Sequence, residues 1–452
     1  MAAITIDREK ILGPIKPMHG VNNGPLTCNF TRDAGSLFRE AGIPFSRLHD
    51  TEYPFGSGEF VDFDCVFKCF GADENDPANY NFALTDLYLK AIDDCGARII
   101  YRLGCSIEHN PVKIHLGPPS DYEKWARVAE HIIRHYTEGW ADGFRFDIRY
   151  WEIWNEADIS GGQMWGGTAE EYAEFYAVVA THLKNRFPAL KIGGPALCSF
   201  AHTEFLETFF HRLTKGSERV PLDFFSWHRY TNEPEKVVAW AREADALLRK
   251  YGYEDAESIL DEWNYERTWK DMPQAYRTIG SLKGASFDAA VMAALQKTSA
   301  DVLCYYDAQM KFENKWCGLF RSSDVPTGNG GKMEVVPRKP FYAFAAFNTL
   351  YRLGNGADAC ETALTSDDPH LYGVSATSPD GARDALLFTM YADEESVLSE
   401  TEVTVRIPGT EQKTVSLFLL DETHDLKKIA SFPGGCFTAA VKPYDVFLAV
   451  IE

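Results

Sequence analysis

Basic residues are in short supply: 45 Lys and Arg stand against 66 Asp and Glu, a formal net charge of −21. Such a surface repels phosphate backbones and anionic lipid, so neither nucleic acid nor a membrane is expected as a partner, and a neutral substrate is compatible. No apolar run reaches the roughly 18 residues that crossing a bilayer requires. The opening stretch MAAITIDREKILG lacks the basic-then-apolar order of a signal peptide. The ten cysteines (28, 65, 69, 95, 105, 198, 304, 317, 360 and 436) lack zinc-site spacing. Cys65 and Cys69 are four apart, but no second Cys or His pair lies near them in the sequence. Without a secretory signal these cysteines are expected as free thiols in a reducing cytoplasm. No Gly-rich dinucleotide fingerprint follows the first apolar strand. No metal or organic cofactor is therefore expected.

Aromatic residues are plentiful, at 13% of the chain. That suits a sugar cleft, where pyranose C–H faces stack on rings, and it equally suits a large aromatic core. The length, 452 residues, is too great for one core and fits two or three domains.

Up to about residue 350 short apolar strands alternate with amphipathic helices. The candidate strands are Lys16–Val21, Phe45–Leu48, Arg98–Leu103, Tyr150–Trp154, Lys191–Gly194, Phe224–Trp227, Ser258–Asp261 and Val302–Tyr306. Their near-continuous apolarity is that of parallel strands covered by helices. Two helices carry start signals. One opens at Ser120 with Glu123 three residues on and presents Tyr122, Trp125, Ala126, Ala129, Ile132, Ile133 and Tyr136 on one face. The other opens at Thr168 with Glu171, and Pro188 lies past its end. Eight such units predict an α/β fold of the (β/α)8 TIM-barrel type over residues 10–352, with a doubly wound sheet as the alternative. Beyond about residue 353 helical spacing stops. Short β-rich runs separated by Pro379-Asp380-Gly381 and Pro433-Gly434-Gly435 predict an antiparallel β-sandwich over 353–452, to which the N-terminal residues 1–9 can add a strand.

Barrel sites form at the C-terminal ends of the strands. The fourth strand ends in Asn155-Glu156. A carboxylate there serves no packing purpose, because burying it unpaired is costly; a loop Glu capping the next turn is the bland alternative. Glu152, inside the strand, is expected to be a paired structural carboxylate. The seventh strand ends in Asp261-Glu262. Alternation sends the two side chains to opposite faces; Glu262 is chosen as the one that lines the mouth, with Asp261 as its competitor. Strands four and seven face each other across a ring of eight, and two carboxylates aimed into one cleft are what glycoside hydrolysis requires. Helpers are expected at other strand ends. Arg47 would keep Glu262 ionised, and His49 stands beside it. His228 and Tyr230 would bond the nucleophile or sugar hydroxyls. Glu108 and His109 follow strand three, and Trp316 would form a stacking floor after strand eight.

These motifs resemble glycoside hydrolase family 39, in the retaining clan with catalytic glutamates after strands four and seven. Trp151-Glu152-Ile153-Trp154-Asn155-Glu156 looks like the acid/base motif, and Asp261-Glu262-Trp263-Asn264 like the nucleophile motif. Gly20-Val21-Asn22-Asn23-Gly24, Arg47-Leu48-His49, Asn79-Tyr80-Asn81-Phe82 with Asp86, and Arg338-Lys339-Pro340-Phe341-Tyr342-Ala343 resemble further segments of that barrel. The resemblance implies Glu156 as acid/base and Glu262 as nucleophile. It also implies that Asn155 bonds the sugar 2-hydroxyl, and that His49, His228 and Tyr230 line the subsite of the cleaved sugar. One departure is Ala157, where the family usually has Pro. The implied reaction is retaining hydrolysis of an oligosaccharide or glycoside, β-xylosidase-like on short oligosaccharides. A uronate substrate fits less well, since Arg47 and Arg229 are the only basic residues at the predicted strand ends. Other retaining exo- or endo-specificities of the same family, and a sugar-binding protein that has lost catalysis, are the alternatives. The oligomeric state is open, a homo-oligomer included.

Overall fold

The computed structural model describes residues 1–27, 30, 32–51, 59–107, 112–113, 115–159, 162–310, 315–322, 334–354 and 358–452. Eight parallel strands close into a barrel: Gly20–Asn22, Phe45–Arg47, Arg98–Leu103, Tyr150–Ile153, Lys191–Leu197, Phe224–Thr231, Glu257–Tyr265 and Ala300–Tyr305. Each apolar run read from the sequence overlaps one of them, the first, Lys16–Val21, only at Gly20 and Val21. Helices Gly35–Ala41, Ala83–Asp93, Tyr122–Thr137, Ala169–Arg186, Thr203–Thr214, Pro234–Tyr251 and Leu282–Gln296 cover the crossings, and Lys339–Tyr351 follows the last strand.

The barrel interior changes character from bottom to top. Phe45, Ile100, Tyr150, Phe224, Ile259 and Val302, near the N-terminal ends of their strands, form a separate apolar cluster that plugs the floor. The Phe224 ring fills the space where a side chain at position 193 would project. A Cβ there would lie 2.5 Å from the ring, so only glycine fits. Above this floor the inward positions carry Arg47, Glu152, Ser226 and Asp261, all fully buried. These buried polar and charged groups thus stand on the mouth side of an apolar plug.

The helix Ala169–Arg186 starts as expected, with both halves of the Thr168/Glu171 capping box formed. The start of Tyr122–Thr137 differs: Asp121 is the cap, accepting from the Lys124 backbone N–H at 2.9 Å. The cap is thus one residue later than the Ser120 expected, and Glu123 is not its reciprocal partner. Asp121 is itself a good cap, and its carboxylate reaches the third helical amide.

A second, nine-stranded sheet holds the C-terminal residues. The N-terminal strand runs Ala2–Pro14. It lies between Cys360–Ser366, to which it is antiparallel, and Thr401–Ile407, to which it is parallel. The sheet wraps a core of its own that includes Ile4, Ile6, Phe388, Val405, Leu417 and Phe447. Its two edge strands, Lys427–Pro433 and Gly435–Val441, come together with Phe432 stacked on Phe437 at 5.5 Å. Helix Leu282–Gln296 is buried on nearly every side because this sheet packs on its outer face, where Ser286 bonds Thr389 at 2.7 Å. Among the described residues no helix is long and apolar enough to cross a membrane.

Candidate active site

Arg47 is the hub of the mouth. It is fully buried at the end of the second strand. Nε donates to Glu152 at 2.7 Å and lies 3.0 Å from Asp261; Nη1 donates to Glu262 at 2.9 Å and to Asn22 at 3.2 Å; Nη2 donates to Asn155 at 2.7 Å. One rigid guanidinium therefore spaces groups from strands one, four and seven. Because Arg47 takes the Asn155 carbonyl oxygen, the Asn155 amide N–H groups are left for the cavity that this residue lines.

Asp261 and Glu262 do not split to opposite faces as simple alternation predicts. The register slips here: Leu260 and Glu262 pair with the consecutive residues Trp227 and His228, and a second slip separates Leu260 from Trp263 against strand eight. This β-bulge turns both carboxyls towards Arg47. Asp261 sits lower, fully enclosed. Burial, together with Glu152 and Glu262 and against Arg47, pushes its carboxyl well above the ordinary range. For Glu152 burial acts upward too, but Arg47 and bonds from Asp261 and Ser226 outweigh it and leave it low. Glu152 is thus a buried carboxyl paired with Arg47, as expected of it.

Glu262 reaches the cavity. Its Oε1 meets His49 Nε2 at 2.9 Å as well as Arg47, and its Oε2 accepts from the Tyr230 hydroxyl at 2.8 Å. Burial would raise its pKa, but His228, His49 and Arg47 prevail and hold it well below the usual carboxylate range. His49 is shaped by the same balance. Burial lowers its pKa, and Asp50 and Glu262 more than offset this, raising it to about 9. After the motif residue Glu262, Trp263 is packed in the core and Asn264 donates to the Tyr306 and Trp316 carbonyls, fastening strand seven to the end of strand eight.

Glu156 stands opposite on a left-handed backbone (φ 44°), two residues after Trp154 (φ 72°). Trp154 can hold that conformation because its indole N–H donates to the Met164 carbonyl at 2.7 Å and its ring lies on Gly104. Glu156 Oε1 and His228 Nδ1 are 2.7 Å apart, and the ring tautomer sets which of them donates. One carboxylate oxygen from each glutamate and a nitrogen of His228 all lie within 4.8 Å of one another. These three are also the described residues best placed to ligate a metal. Yet both Glu262 oxygens already accept bonds, and Arg47 and His49 stand beside them as cations, so the donor set suits an ionised carboxylate better than a dication.

A cavity of about 590 Å³ opens above this array. Among its lining residues are His49, Asn155, Glu156, Tyr230, Glu262 and Trp316 of the expected set. Arg47 and His228 lie just beneath, bonded to the two glutamates. Glu108 and His109 lie outside the described residues. Asp50 and Tyr306 also line the cavity, bonded to each other at 2.5 Å. Sequence reasoning gave them no role, although each directly follows a residue singled out or ends a predicted strand. Trp316 belongs to a rim cluster with Tyr230, Tyr306 and the exposed Trp269, at ring separations of 5.3, 5.9 and 6.0 Å.

A closed parallel barrel with two facing carboxyls at the ends of strands four and seven has the architecture of the (β/α)8 glycosidases. Within that class the chain belongs to the glycosyl hydrolases family 39, whose model matches residues 68–427. It is 30% identical over 260 residues to a beta-xylosidase of Caldicellulosiruptor saccharolyticus and 26% identical over 265 residues to one of Geobacillus stearothermophilus. Each match covers 53% of this chain and 48% of the relative, so the chain spans about half the length of the curated relatives it matches. Among solved structures, a glucosidase from Croceicoccus marinus superposes with a TM-score of 0.76 at 23% identity, and a monomeric beta-xylosidase from Caulobacter crescentus CB15 with 0.68 at 15%. Both alignments cover 100% of this chain and 99% of the other, and they establish likeness of fold.

Proposed function

We propose that the protein is a retaining glycoside hydrolase working by double displacement, with β-xylosides of short chain length as its first-choice substrates. The observation that carries this reading is the approach of the Glu156 and Glu262 carboxylate oxygens to within 4.8 Å, one of them held ionised by Arg47 and His49. Retaining enzymes space their carboxyl groups by about 5–5.5 Å, inverting ones by roughly 6.5–9.5 Å to admit a water.

Glu262 attacks the anomeric carbon while Glu156 gives its proton to the departing oxygen. The glycosidic bond breaks as the ester to Glu262 forms. Glu156, now ionised, takes a proton from water, which attacks the same carbon and releases the sugar with its configuration kept. Tyr230 and His49 hold the Glu262 oxygens, and the Asn155 amide N–H faces where the 2-hydroxyl would sit. Trp316 offers its ring to the sugar. Membership of the family and the two beta-xylosidase relatives support xylose as the first sugar to try. The cysteines, unpaired among the described residues, fit the reducing cytoplasm as its location.

An aryl glycoside panel tests the substrate, and failure to turn over the xyloside removes it. An NMR time course tests the stereochemistry: the retained anomer is expected first, and the inverted one would overturn the mechanism. A 2-fluoro glycoside should label Glu262 as an ester, identified by peptide mapping.

A further inference from the structure

Arg229 is a cation that the proposed chemistry does not use. It follows His228 on the sixth strand and lines the cavity beside Trp240, with its guanidinium carbon 3.9 Å from the indole centroid. The stacking fixes the plane of the guanidinium and leaves its edge available. Its Nε is buried without a hydrogen-bond partner, and no acid lies within ion-pair distance among the described residues. Glu233, Glu266 and Glu243 act on it only through space, and burial dominates, depressing its pKa. The other cation in the cavity lining, His49, is already held between Asp50 and Glu262. In a chain of net charge −21, a half-desolvated guanidinium whose nearest acids act only at a distance is an unfavourable element by itself, and an incoming carboxylate in contact would complete it.

Its position also selects a side of the scissile bond. Arg229 adjoins His228, which touches Glu156. Trp240 packs on Phe200 at 5.1 Å, next to Cys198 and Ser199, which share the cavity with Glu156. The wall is therefore on the flank of the residue that protonates the leaving group, away from the His49, Asp50 and Tyr306 flank. The geometry points to a leaving-group subsite in which Arg229, stacked on Trp240, receives the carboxylate of an acidic sugar or other carboxylate-bearing aglycone. This rests on the assignment of Glu156 as acid/base.

The test compares two β-glycosides of one sugar, xylose or whichever sugar the panel selects, carrying 4-nitrophenyl and 3-carboxy-4-nitrophenyl leaving groups. The quantity read is the ratio of kcat/KM, carboxylate over neutral, within each protein, so that a loss of folded enzyme cancels. Arg229→Met is expected to lower this ratio about tenfold and Arg229→Lys to recover part of it, since a point charge remains without the fork. Added salt should lower the ratio in the native protein and not in Arg229→Met. A ratio that does not fall in Arg229→Met overturns the subsite and leaves Arg229 as a structural neighbour of Glu266. Failure of every glycoside in the panel sinks the proposed reaction, and the subsite with it.

Discussion

Arg47 contributes more contacts to the site than any single lysine could. Its fork reaches Glu152, Asp261, Glu262, Asn155 and Asn22 from a fully buried position. Arg47→Lys keeps the charge but leaves several of these acceptors unpaired. We expect a loss of about 3–5 kcal/mol in denaturant unfolding, the range for breaking a buried pair, and a fall in kcat of on the order of a hundredfold as Glu262 loses its orientation. His49 makes a pH-dependent prediction. Its folded pKa of about 9 lies above the ordinary 6.5. The associated stability is therefore fully present below pH 6.5 and disappears as pH rises through 9. The difference in Tm between the native protein and His49→Gln should shrink across that interval. A difference that stays constant would mean that His49 is not the cation beside Glu262.

At the scale of elements, the strand ends were legible because a polar triplet closing an apolar run has no packing explanation. What alternation could not reveal was the bulge at Asp261, since register belongs to the pairing of three strands and not to one. The Asp50–Tyr306 bond was hidden for a related reason: it joins strands two and eight, which come together only on closure of the ring. In the second sheet, Lys427–Pro433 is a mostly exposed edge strand without apolar alternation, so its own residues do not mark it. The turn carrying Glu156 depends on Gly104. That glycine has φ 128°, and an added Cβ would meet the Trp154 ring at 2.9 Å. Gly104→Ala should cost about 2 kcal/mol by thermal unfolding and lower kcat as Trp154 moves the adjoining Asn155-Glu156. Unchanged kcat with lowered stability would separate the ring from the chemistry.

Across the whole molecule, one acidic residue in the loop after strand Asp384–Met390 of the second sheet holds the barrel mouth. Asp393 accepts from Asn232 at 2.7 Å and from Tyr265 at 2.6 Å, and it pairs with Lys283 at 2.7 Å. Asn232 lies two residues past Tyr230, and Tyr265 three past Glu262. Arg267, bonded to Glu394, belongs to the same post-strand segment as the rim residue Trp269. Asp393→Ala is expected to cost about 1–3 kcal/mol, because three donors lose one acceptor, and to raise KM for aryl glycosides more than it lowers kcat. Asp393→Asn should restore part of both. Equal effects of Ala and Asn would point to the charge that Asp393 presents to Lys283 and Arg267.

The path of Ala2–Pro14 has a further consequence for how the chain is made. On a ribosome this segment is made more than 300 residues before either of the neighbours that sandwich it, Cys360–Ser366 and Thr401–Ile407. Until those strands are made, it stays an unsatisfied ribbon. Deleting it would divide the second sheet into a six-strand and a two-strand piece, and a bulky fusion ahead of Ala2 would compete with that late docking.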